Sequence, residues 1–134
     1  MILDTLELNR GEAFVKEAVQ SWGWQAAESD EYDISEVTGE NLWIKKETWA
    51  RAYSVRVVEN IDQYGSFWID PKEWMISDKR NHRFWHVNVD TGWMAWYSRE
   101  DVQRYITSNN ITKPFQVRVK GVQPFEITRR KHEV

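Results

Sequence analysis

The pattern of the chain predicts an α+β domain in which helices pack on a single mixed β-sheet. Three observations carry that expectation. Apolar residues recur at helical spacing between residues 11 and 22, and a series of short segments alternates apolar and polar residues. Compact helix-start signals also stand between those segments. At 134 residues, 41% hydrophobic and 29% charged, the chain suits one domain, 1–134, with one core.

The first element is a helix over about 11–22. Phe14, Val15, Ala18, Val19 and Trp22 share one face. Asn9 and Glu12 stand at the spacing of a capping box, and Gly23 is free to end the helix in a left-handed conformation. Residues 24–28 and 32–37 read as strands, and Thr38-Gly39-Glu40-Asn41 as a turn leading into the strand 42–45. Tyr53 to Glu59 is a stronger strand, with Tyr53, Val55 and Val57 on one face and Ser54, Arg56 and Val58 on the other. Phe67-Trp68-Ile69 is short and extended.

Asp70-Pro71-Lys72-Glu73 starts a helix expected to reach about Arg80: the aspartate caps, and proline's missing amide costs nothing in the first turn. Phe84–Val89 and Trp93–Tyr97 form a hairpin about Asp90-Thr91-Gly92. Ser98 with Asp101 caps a helix over about 99–107. Residues 115–120 and 125–128 then read as a C-terminal strand pair.

Composition excludes several classes of chemistry. With no cysteine there are no disulfides, thiolate zinc sites or cysteine nucleophiles. No apolar run approaches the roughly 20 residues of a membrane helix, and residues 1–10 lack the pattern of a signal peptide, so the expected compartment is the cytoplasm. The net charge of −3 is unevenly spread. Residues 1–40 hold ten acids and two bases, whereas residues 111–134 hold six bases and two acids. A basic end suits a polyanion, and an acidic front suits a metal site or a basic protein partner at Glu28, Asp30 and Glu31.

Local motifs divide between chemistry and structure. Asp90-Thr91-Gly92 matches the triplet of aspartic proteases, but Trp93 follows where that family places a small residue, and Asp with Gly suits a tight hairpin. His82 and His86 have the spacing of a helical zinc pair, yet they fall on a strand, where the rings do not converge. A hydrogen-bonded structural role is expected for His86. Nine tryptophans either fill the core or stack on unpaired bases; Trp22 and Trp74 are expected in the core, with two or three others partly exposed. Arg118, Lys120, Arg129, Arg130 and Lys131 are the candidate nucleic-acid-binding residues.

The segment from Gly11 to Ile106 resembles the PD-(D/E)XK nuclease superfamily, which includes restriction endonucleases and Holliday-junction resolvases. The likeness lies in the order helix, strands, helix, strand. Local cues are Glu12 on the opening helix followed by Gly23-Trp24, Tyr32-Asp33-Ile34, and Asp70-Pro71-Lys72-Glu73-Trp74 ahead of the Phe84–Val89 strand. The resemblance implies a restriction-endonuclease-like αβββαβ core over about 9–107, with a C-terminal β extension and basic tail over about 113–134. It implies catalytic roles for Glu12, Asp33 and Lys45, and a Mg²⁺ held by Asp33 with Glu47 or Glu59. Trp43-Ile44-Lys45 departs from the family pattern by placing tryptophan where the glutamate belongs. The expectation is therefore a nuclease-like protein that binds DNA or RNA, or a nucleic-acid-processing protein, with catalysis lost or weakened. The alternatives are an active Mg²⁺-dependent endonuclease and an interaction domain using its acidic N-terminal surface.

Overall fold

In the computed structural model, the residues described are 10–28, 42–46, 53–72, 82–118 and 123–133. Helix α1 (Arg10–Ser21) leads into β1 (Gln25–Glu28), and β2 (Leu42–Lys45), β3 (Tyr53–Val58) and β4 (Phe67–Ile69) follow. Then come β5 (His82–Val87), β6 (Trp93–Ser98), α2 (Arg99–Ser108), β7 (Phe115–Val117) and β8 (Thr128–Lys131). The expected strand 32–37, the turn 38–41, the cap Asn9 and most of the helix expected up to Arg80 lie outside the described residues.

Six strands form a curled mixed sheet in the order β1-β2-β3-β5-β6-β8. Every neighbouring pair is antiparallel except β3 and β5, which run parallel with Val57 beside Trp85. The expectation of one sheet is corrected here, because β4 and β7 pair with each other in a separate antiparallel ladder. The expected C-terminal pair is likewise divided: β7 joins β4, and β8 joins β6 at the edge of the main sheet.

Local chemistry explains the boundaries. The exit from α1 is a Schellman motif: the Trp24 amide donates to the Val19 carbonyl, the Gly23 amide to that of Gln20, and Gly23 sits at φ +86°. Ser98 caps α2, its hydroxyl accepting from the Asp101 amide at 3.2 Å. Strand β5 ends at Val87 rather than the expected Val89, because Asn88 builds the turn. Its Oδ1 accepts from the amides of Asp90 and Thr91, and Gly92 closes the loop at φ +85°. The last strand begins at Thr128 rather than Phe125, since Phe125 and Ile127 pack onto the core ahead of the ladder with β6.

The pleat divides the interior in two. Val15, Ala18 and Val19 of α1 lie on Leu42, Ile44, Val55, Trp85, Val87, Met94 and Trp96. On the opposite face Phe84, Ala95 and Tyr97 meet Phe67 and Ile69 of β4, Val117 of β7 and Val102 of α2. Strands β5 and β6 are thus covered on both sides. That resolves how Trp93 and Trp96, on opposite faces of one strand, both find apolar surroundings.

Candidate nucleic-acid interface

The aromatic centre of the first core is a stacked pair. Trp85 and Trp96 are cross-strand partners whose ring centroids lie 4.1 Å apart at an interplanar angle of 7°. Trp24 meets both rings edge-on, and Trp22 lies 5.8 Å from Trp96. Below this cluster a cavity of about 260 Å³ is lined, among others, by Ile44, Val55, Trp85 and Trp96, with Arg83, Asp101 and Glu126 as its charged residues.

The second core holds a polar relay. His86, stacked 4.0 Å from Phe67, is buried with both ring nitrogens engaged. Its Nδ1 lies 2.6 Å from Oδ1 of Asn60, which can only accept, so the proton is on Nδ1. Nε2 then accepts from the Tyr97 hydroxyl at 2.6 Å. Burial, together with the positive charge of Arg56, lowers the imidazole pKa to about 3. The residue is a neutral structural histidine.

Of the residues assigned catalytic and metal roles by the nuclease resemblance, Glu12 and Glu59 stand at one end of the sheet and Lys45 stands apart. Glu12 is buried in the first turn of α1, on the side facing the sheet. Glu59, just past β3, presses against the same turn: a Cβ placed on Gly11 would stand 2.8 Å from its Oε1. Lys45 lies at the other end of the sheet, paired with Gln25 beside the exit of α1. Ile44 pairs with Tyr53, so Lys45 falls beyond the start of β3, roughly 20 Å along the strands from Glu59 at 3.3 Å per residue. It also alternates with Leu42 and Ile44, which face α1, and so belongs to the opposite face from Glu12. Glu12, Glu59 and Lys45 therefore do not make the carboxylate-plus-lysine constellation that would hold Mg²⁺ beside a phosphate. Asp33 and Glu47 lie outside the described residues, among which no group of three or more metal-ligating side chains occurs.

The basic residues are better ordered than a tail. β8 is a strand in register with β6, and all four of its residues are exposed. Alternation sends Arg129 and Lys131 to one face and Arg130 to the other. The Arg130 guanidinium lies 3.9 Å from the Trp22 ring centroid, and the Lys131 ammonium 6.0 Å from that of Trp93. The ladder continues past the strand, where the His132 amide donates to the Gly92 carbonyl and its ring meets Phe14. Arg118 is exposed just after β7, and Lys120 lies outside the described residues.

Sequence reasoning passed over Trp68 and Tyr64, the two large aromatics most open to solvent among those described, at 57% and 71% exposure. The signal for Trp68 was its place between Phe67 and Ile69: if those two face inward, period 2 sends it outward.

No family model, curated protein or solved structure matches the chain.

Proposed function

We propose that the protein is a nucleic-acid-binding domain of nuclease-like element order whose metal-dependent catalysis is lost or weakened. The observation that carries the reading is β8. Three consecutive cations, Arg129, Arg130 and Lys131, are all exposed on a paired edge strand rather than on a loose terminus. Holding the backbone in a ladder lowers the ordering cost of binding, and cations spaced along a strand can neutralise successive phosphates without reading sequence. Cation–π contacts with Trp22 and Trp93 further restrict two of these side chains.

The separation of Lys45 from Glu12 and Glu59 favours binding over cleavage. The nuclease resemblance now rests on the order of elements and is not needed for the interface.

Titration of single- and double-stranded DNA and RNA by fluorescence anisotropy at two salt concentrations tests the reading. Binding at low salt that weakens at least tenfold in the Arg129→Ala/Arg130→Ala/Lys131→Ala variant supports it. Absence of affinity for all four polymers at low salt eliminates it. Incubation with plasmid in Mg²⁺ is expected to leave the DNA intact or to nick it slowly.

A further inference from the structure

The β4–β7 ladder offers a second surface, of different chemistry from β8. Phe67 and Ile69 are sunk in the core, so the pleat turns Trp68 outward to solvent. Its cross-strand partner is Gln116, also exposed, and Arg118 lies two residues further along the same face. The Arg118 Nε donates to the Gln116 Oε1 at 3.4 Å, while its two terminal amino groups bond to no described residue. Just before β4, Tyr64 is carried on a turn of fixed shape. Asp62 Oδ1 accepts from the amides of Tyr64 at 2.8 Å and Ser66 at 2.9 Å, and Gly65 takes φ +88°. The Asp62 amide donates to the Ser66 carbonyl, which closes the turn.

We infer that this face is a stacking platform for unpaired bases, with Trp68 as the principal ring and Arg118 meeting the adjacent phosphate. The inference rests on the nucleic-acid reading above and adds the substrate form: single strands. An exposed tryptophan beside a guanidinium and an amide suits a base flanked by phosphate, whereas the paired bases of a duplex hide their faces. Two acids lie nearby, but one oxygen of each is engaged. Asp62 Oδ1 closes the turn, and Asp70 Oδ1 accepts from the Lys72 amide. With charge so mixed, selection here comes from ring stacking, and the preference for single strands should change little with salt.

The test compares a labelled oligothymidylate with a hairpin duplex, using the full chain, Trp68→Ala, Trp68→Phe, and the triple substitution at Arg129, Arg130 and Lys131. Trp68→Ala should weaken oligothymidylate binding by about 5- to 150-fold while duplex binding stays within about twofold. Trp68→Phe should restore most of the loss, and the triple variant should weaken both ligands. Urea unfolding of Trp68→Ala should match the parent, because the removed ring is exposed. Unchanged oligothymidylate binding in Trp68→Ala, or equal weakening of both ligands, overturns the platform but leaves the nucleic-acid reading standing. Failure of the parent chain to bind either ligand overturns both.

Discussion

Trp85 of β5 and Trp96 of β6 stack face to face across the centre of the sheet, 4.1 Å between ring centroids. Each ring is also met edge-on by Trp24, so the pair is fixed from one side as well as across the ladder. Rings at this separation couple their electronic transitions, and give an exciton couplet in circular dichroism to the extent that the indole axes are rotated within the stacking plane. Trp85→Ala should abolish the couplet and cost about 3–5 kcal/mol of stability, the range for removing a large buried aromatic. Urea denaturation followed by intrinsic fluorescence measures the cost. A loss below about 1 kcal/mol would mean that the rings are not buried as described.

The His86 relay sets a pH dependence. The folded-state pKa, about 3, lies below the ordinary value of 6.5. Between these values the unfolded chain binds a proton that the folded chain refuses, so stability rises with pH across this window. The contribution is complete above about pH 6.5 and is lost as the pH falls toward 3, with a slope of at most about 1.4 kcal/mol per pH unit. Urea midpoints measured at several pH values in this window should fall with acidification. The fall should be shallower in His86→Gln, which has no proton to accept.

Helix ends supply two smaller effects. Ser98→Ala removes the hydroxyl that caps α2 and should cost about 1 kcal/mol. Gly23→Ala meets no atom within 4 Å, yet forces a side chain into φ +86°, which should cost about 1–2 kcal/mol through backbone strain alone. Chemical denaturation of both variants tests these values, and an unchanged midpoint for Gly23→Ala would show that the helix ends otherwise.

Much of the fold was legible because its signals are local. The periodicity of α1, the caps at Gly23 and Ser98, and the alternation of β3 each depend on a few neighbouring residues. Pairing was less legible, because it depends on contacts distant in sequence. Nothing near Phe115 announces that β7 will leave the main sheet and join β4, nor does Thr128 announce β6 as its partner. Strand limits shifted where a side chain took over the backbone's role, as Asn88 does in the Asp90-Thr91-Gly92 turn.

The site was legible only in part, for the same reason. Glu12 and Lys45 looked like partners in an expected order of elements, but the direction of α1 along β3 separates them by end and by face. Conversely, Arg129, Arg130 and Lys131 read only as part of a basic tail, and it is the pairing with β6 that holds them as a strand. Two or three tryptophans were expected to be partly exposed, and the burial of Phe67 and Ile69 marks Trp68 as one of them.

The slope of nucleic-acid affinity against salt, in the parent chain and in the β8 triple variant, weighs most directly on the account. If three cations on a hydrogen-bonded edge meet three phosphates, log K should fall linearly with log salt, and the triple variant should flatten that line by about 2–3. Identical slopes in the two proteins would contradict it, for the edge strand would then be ordered and basic without touching the polymer.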